Sequence, residues 1–119
     1  MQMDTESNRS LSLRVRELIT AINEWLFDPG LSVSTLKVRC RVRDNNISSR
    51  FKNEVGVSIK DYILTLRLRA AREMIQLGDR PATDVAYAVG FRYSQTFYRA
   101  YHRRYGTAPC SDRAKAAGR

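Results

Sequence analysis

Histidine occurs once in these 119 residues, at His102, and cysteine twice, at Cys40 and Cys110. The cysteines stand far apart and share no metal-ligand spacing. No cysteine, serine or carboxylate pattern surrounds His102, which reads as a surface residue. There is no phosphate-binding glycine loop and no pair of acids. Catalysis, a metal centre and a cofactor are therefore not expected. Cys40 reads as a small core residue and Cys110 as incidental, which suits a reducing cytoplasm. No apolar run approaches the roughly 20 residues that a membrane span takes. The polar start, MQMDTESNRS, has no apolar stretch of the signal-peptide kind.

Acidic residues are also scarce. The chain has 21 Lys and Arg against 12 Asp and Glu, a formal net charge of +9. The imbalance is local. Residues 1 to 38 hold four basic and five acidic side chains, and residues 39 to 119 hold seventeen and seven. Of the 21 bases, 17 are arginine. A basic surface this dense implies a polyanionic partner or an acidic membrane surface. Arginine supplies a rigid donor fork suited to phosphates and guanine edges.

Apolar spacing predicts helices and no strands. Leu11, Val15, Leu18, Ile22 and Leu26 recur at intervals of four and three, which makes an amphipathic helix. Asp28-Pro29-Gly30 breaks it. Two short helices follow, one through Val33, Leu36 and Cys40, the other through Ile47, Phe51 and Val55, ending at Gly56. Ser58 can cap a long helix with Asp61 three residues on. Its apolar residues cover a wide arc, as a helix joining two bodies would. After Pro81, Val85 and Val89 suit one short helix, and Phe97, Tyr101 and Tyr105 another, ending at Gly106.

These elements repeat. Cys40 and Val42 match Val89 and Phe91 at an offset of 49, and Ile47, Phe51 and Gly56 match Phe97, Tyr101 and Gly106 at an offset of 50. The one-residue difference falls in the polar junction at 43 to 46. The chain thus holds two copies of helix, tight turn, helix, which is the layout of a helix-turn-helix.

Residues 33 to 113 resemble the DNA-binding domain of the AraC/XylS family of bacterial transcription regulators. The second-unit signature is Val85-Ala86, Gly90-Phe91, Phe97, Tyr101, Gly106 and Pro109. Leu36, Ile47, Phe51 and Gly56 carry the match in the first unit, and Tyr62, Leu66, Arg67 and Leu68 in the middle. The chain departs from the pattern at Lys37, where the family prefers a small residue, and at Arg41, where a turn glycine is usual. Ala82 replaces a larger aliphatic residue, and Asp112 stands where an aromatic is usual. Residues 1 to 32 resemble at most the family's variable leading helix. The resemblance leaves open a short stand-alone regulator or the C-terminal part of a longer one.

The expected fold is all-α: two helix-turn-helix subdomains joined by a long connecting helix and preceded by an amphipathic one. Residues 1–9 are expected to be a disordered N-terminus, and 10–56 the leading helix with the first unit. Residues 57–78 form the connecting helix, 79–109 the second unit and 110–119 a basic flexible tail. A helix of about 20 residues spans roughly 30 Å, close to the ~34 Å between successive major grooves on one DNA face. One chain could then place two recognition helices, about 44–55 and 94–105, in adjacent major grooves of double-stranded DNA without a dimer. Phe97 and Tyr101 are expected in the second unit's core.

The outward positions carry the chemistry. Asparagine and glutamine pair bidentately with adenine, and arginine with guanine. Asn45, Ser48 and Ser49 are the candidate base readers of the first unit, and Gln95 and Arg99 those of the second. The family's base-reading positions fall on these residues. Arg43, Lys52, Arg92, Tyr98, Arg103 and Arg104 are the candidate phosphate contacts. The resemblance also implies contact with RNA polymerase, and a cytoplasmic, nucleoid-associated protein of bacteria. The other class left open is a basic RNA-binding or architectural protein. Single-strand readers need exposed aromatics for stacking, and here most aromatics fall on core positions. A third is a protein-interaction module docking through the leading helix, with Trp25 and Phe27 near its end.

Overall fold

The computed structural model describes residues 11–43 and 45–117; the N-terminus expected at 1–9 lies outside them. The described residues form helices and no strand: α1 (Leu13–Glu24), α2 (Val33–Arg39), α3 (Ile47–Val55), α4 (Ile59–Leu77), α5 (Ala82–Ala88), α6 (Ser94–Tyr105) and α7 (Pro109–Ala117). They fall into two compact units. One comprises α1, α2, α3 and α4 as far as Ile63; the other comprises the rest of α4 with α5, α6, α7 and residues Phe27–Pro29.

Local chemistry sets the helix ends. Ser12 caps α1 by accepting from the Val15 amide. Ser32 and Thr35 form a reciprocal capping box at α2, which satisfies two amides that a helix start otherwise leaves unpaired. The Ser58 hydroxyl accepts from the Asp61 amide at 3.1 Å as α4 begins. α1 ends at Glu24, four residues before Asp28, with Trp25 as its C-cap. Arg39 lies over the Trp25 ring, 3.9 Å from its centroid.

The two turns are the same at the level of single hydrogen bonds. Arg41 N donates to Val38 O and Val42 N to Lys37 O; Gly90 N donates to Tyr87 O and Phe91 N to Ala86 O. Each is a Schellman closure, with one residue in the left-handed region. That residue is Gly90 (φ 103) in the second unit and Arg41 (φ 55) in the first. Both recognition helices also end alike, on the left-handed Gly56 and Gly106.

Periodicity places the core. In the first unit Val15, Leu18, Ile22, Leu36, Val42, Ile47, Phe51, Ile59 and Ile63 are buried. Cys40, expected as a core residue, is only half-buried at the C-cap of α2, whereas Val89 at the matching C-cap of α5 is fully buried. In the second unit Leu68, Ala71, Ile75, Val85, Ala86, Val89, Phe91, Phe97 and Tyr101 form one cluster. The rings of Phe91 and Phe97 meet edge to face, 5.3 Å apart.

The flexible tail expected at 110–119 is corrected as far as Ala117: residues Pro109–Ala117 are helical, Asp112 is buried within that helix, and 118–119 lie outside the described residues. The Tyr101 hydroxyl donates to the Asp112 carboxylate, and Arg72 Nε lies 3.3 Å from the same oxygen as an ion pair. The Arg72 guanidinium also covers the Tyr105 ring at 4.4 Å. Burial, with the bond to Asp112 second, pushes the Tyr101 phenol above its usual range. A buried carboxylate must be paired, and these partners hold the helix down.

The same site exposes a longer repeat. Asp112 N donates to Ala108 O as Tyr62 N donates to Ser58 O, again 50 residues apart. So the start of α7 corresponds to the start of α4. In the first unit Phe51 and Tyr62 pack edge to face at 5.5 Å; their equivalents are Tyr101 and Asp112. A hydroxyl on one side and a carboxylate on the other replace an aromatic pair.

Candidate nucleic-acid interface

Each unit buries one face of its second helix and leaves the other open. On α3, Ile47 and Phe51 are fully buried, while Ser48, Ser49, Arg50, Lys52 and Asn53 are exposed. Asn45 and Asn46 are exposed in the turn just before it, and Arg43 is exposed too. The first recognition helix therefore begins at Ile47 rather than near 44. Asn46 is its N-cap without a side-chain cap bond. Its carbonyl accepts from Arg50 N at 2.9 Å.

On α6, Phe97 and Tyr101 are fully buried, as the sequence reading expects. Gln95, Thr96, Tyr98, Arg99, His102, Arg103 and Arg104 are exposed. Gln95, Arg99 and His102 follow at i, i+4 and i+7, so they share one stripe. Ser49 and Lys52 hold the same places on α3 as Arg99 and His102 on α6. The first unit thus offers an amide (Asn45), a short hydroxyl (Ser49) and an amine (Lys52) where the second offers an amide, a guanidinium and an imidazole.

Several candidate phosphate groups have partners within the protein. Arg104 donates to the Thr65 hydroxyl at 3.3 Å. Arg92 Nε donates to the Pro29 carbonyl at 3.2 Å. The Tyr98 hydroxyl and the Thr83 hydroxyl lie 2.7 Å apart. Each keeps its exposed position, and a guanidinium has further donors to spare.

Behind the second unit's turn lies Arg67. It donates to the Asp28 carbonyl at 2.9 Å, and burial lowers its pKa against the opposing pull of Asp28. A Cβ built on Gly90 would lie 3.0 Å from the Arg67 guanidinium carbon. The left-handed φ favours glycine at position 90, and a methyl there would also need the Arg67 guanidinium to give by a few tenths of an ångström.

Thr96 escaped the sequence reading. It is exposed in the first turn of α6, and the 50-residue offset pairs it with Asn46. Among the described residues no group of three or more His, Cys, Asp or Glu is placed to hold a metal ion. No helix among them is long and apolar enough to cross a membrane.

A family model described as a helix-turn-helix domain matches residues 38–115. The probable transcriptional regulator LumQ of Photobacterium leiognathi is 28% identical over 109 residues, which is 85% of this chain and 44% of that protein. The C-terminal domain of AraT, a response regulator from Geobacillus stearothermophilus, superposes with a TM-score of 0.84 at 23% identity, covering 88% of this chain and 87% of that one. The DNA-binding domain of AdpA, a global transcriptional factor solved with a target DNA, gives 0.81 at 23% identity, covering 90% and 96%. The structural likenesses establish the all-helical fold. The chain spans less than half the length of the curated relatives it matches.

Proposed function

The chain belongs to the AraC-type helix-turn-helix family, and from that premise we propose that it is the sequence-specific, double-stranded DNA-binding part of a bacterial transcription regulator. One observation carries the reading. Two repeat-related helices, α3 and α6, each bury an apolar face and expose a polar, basic one. An α-helix with that pattern fits a major groove, where all four base pairs differ in their donors and acceptors.

In this reading Asn45, Ser48 and Ser49 face bases in one groove, and Gln95 and Arg99 face bases in the next. Arg43, Lys52, Arg92, Tyr98, Arg103 and Arg104 hold phosphates on either side. Phosphate contacts set the register and base contacts the sequence. Ser48 and Ser49 are short, so the second unit supplies more of the discrimination. Two reading units in one chain make a monomer sufficient. RNA polymerase is the further partner that the family implies, in a cytoplasmic, nucleoid-associated setting. The DNA-bound AdpA domain supports the partner class.

Selection of binding sites from a randomised duplex pool tests this. The expected result is one enriched site with two blocks about a helical turn apart. Arg99→Ala should weaken that site by roughly 1–3 kcal/mol and blur one base position. Equal losses on selected and random duplexes would remove Arg99 from the readers. Steep salt dependence with no enriched sequence would leave only a basic coat for a polyanion.

A further inference from the structure

Glu54 is the one acid on the two recognition helices. Its equivalent at the 50-residue offset is Arg104. A carboxylate on a helix that faces DNA repels phosphates unless a donor of the protein holds it. Here one does. The Ser12 amide donates to the Glu54 carboxylate at 2.6 Å, across 42 residues of sequence, and both residues are half-buried. The bond completes the start of α1. Ser12 is the N-cap, Val15 stands at N3, and the first turn holds no acid. α1 thus lacks the N3 side chain with which Thr35 serves the Ser32 amide in α2. Glu54 does that work from another helix, and its charge suits the positive end of α1.

The repeat extends to this tie. Val15, Leu18 and Ile22 of α1 and Leu68, Ala71 and Ile75 of α4 are all buried, at a common offset of 53. α1 and α4 end at Glu24 and Leu77, again 53 apart. The same offset pairs Ser12 with Thr65, and Arg104 donates to the Thr65 hydroxyl. In both units one position in the last turn of the recognition helix is bonded to one position of the helix that precedes the helix-turn-helix. The second unit uses a cation, which can also take a phosphate; the first uses an anion, which cannot. α3 is the shorter recognition helix, nine residues against twelve. Its buried residues, Ile47 and Phe51, fix the first two turns in the core, and Glu54 anchors the last.

We propose that Glu54 is a positioning residue for the first recognition helix: by holding the last turn of α3 to the start of α1, it sets the angle at which Asn45, Ser48 and Ser49 meet the bases. The leading helix is then a working part of the first reading unit. The inference rests on the DNA-binding reading above.

The experiment measures affinity for the selected duplex, for duplexes altered in one block or the other, and for a random duplex. The block that Arg99→Ala blurs belongs to the second unit, which identifies the first unit's block. Glu54→Ala should lower the preference for the first block on the order of tenfold, the scale of a displaced base contact, and leave the second block's preference intact. Affinity for the random duplex should hold or rise, because a negative charge has gone. Glu54→Gln keeps an acceptor for the Ser12 amide and should keep the first-block preference. Two changes at Ser12 separate the tie from the cap. Ser12→Ala removes the hydroxyl that caps Val15 and leaves the amide, so the preference should stay. Ser12→Pro removes the amide hydrogen as well; proline suits the φ of −66 there, and the first-block preference should fall as in Glu54→Ala. Combining Ser12→Pro with Glu54→Ala should lose no more than either alone. Binding that rises equally on all duplexes in Glu54→Ala and Glu54→Gln, with both preferences kept, would make Glu54 a local charge only and overturn the proposal alone. Equal losses on every duplex in Glu54→Ala would mean a lost fold, and Ser12→Pro then decides: a first-block loss supports the tie, an unchanged preference overturns it. A wild type that prefers no duplex would overturn the proposal together with the reading it rests on.

Discussion

Arg41 and Gly90 meet one backbone demand with different side chains. Both sit in the left-handed region at the Schellman turn. For a residue with a Cβ that region costs roughly 1–2 kcal/mol, and for glycine almost nothing. Arg41→Gly should therefore stabilise the first unit by about 1 kcal/mol in urea denaturation, against a small entropy cost in the unfolded chain. Gly90→Ala should run the other way and exceed that figure. The new methyl brings left-handed strain and also meets the Arg67 guanidinium at 3.0 Å. Gly106→Ala separates the two effects. Its Cβ would meet nothing within 4 Å, so only the strain of about 1–2 kcal/mol should appear. If the two alanine variants lose equal stability, the Arg67 contact contributes nothing.

At the scale of elements, α7 decides whether α6 has a floor. Among the described residues its polar anchor is the cluster of Tyr101, Asp112 and Arg72. Asp112→Ala would leave a buried hydroxyl unpaired, at a cost of roughly 1–3 kcal/mol. The repeat offers a rescue: Tyr101→Phe with Asp112→Tyr rebuilds the aromatic pair that Phe51 and Tyr62 make. A double-mutant cycle should show a favourable coupling of about 0.5–3 kcal/mol between the two changes. Additive losses would mean that the units are not interchangeable there. The phenol also gives a pH signature. Its pKa is raised in the folded chain, so the folded state keeps its proton where the unfolded state releases it. Stability from this group is full below about pH 10 and falls as pH rises above it. Tyr101→Phe should flatten that alkaline loss in thermal melts.

The same cluster shows what the sequence made legible. Leu36, Ile47, Phe51, Val85, Phe97 and Tyr101 announce their helices because burial of apolar side chains leaves a 3.6-residue period. The same residues mark the turns, and the exposed faces of α3 and α6 are their complement. α7 left no such trace. Its stretch SDRAKAAGR reads as solvated because its anchor is a carboxylate, and pattern reading assigns charge to the outside. The pairing of Asp112 with Tyr62 stayed hidden for the same reason, since one side of the repeat had exchanged an aromatic for an acid. Bonds such as Arg92 to Pro29 and Arg104 to Thr65 link residues 63 and 39 apart in sequence, and no local pattern encodes them.

At the scale of the whole molecule, charge is the property that matters. The net +9 is the sum of −1 up to residue 38 and +10 beyond it, where α3 and α6 expose their basic faces. An extended set of phosphate contacts makes affinity a steep function of salt, because each contact releases condensed counterions. The proposed set contains five cationic side chains: Arg43, Lys52, Arg92, Arg103 and Arg104. At about 0.9 each, their joint slope is roughly −4 to −5, so affinity should fall by about two to three powers of ten between 50 and 200 mM salt. Arg92 and Arg104 begin from bonds to Pro29 and Thr65. Reaching a phosphate means giving those up or sharing the guanidinium between both. Pro29 offers a carbonyl that no side-chain change removes, but Thr65→Val deletes the acceptor of Arg104 outright. If Arg104 trades that bond for a phosphate, Thr65→Val should tighten binding to specific and random duplexes alike, with the selected sequence unchanged. If affinity stays the same while the slope of Arg104→Ala still drops by about 0.9, the guanidinium serves both partners at once. If neither changes, Arg104 belongs to the packing of α6 on α4 and not to the DNA.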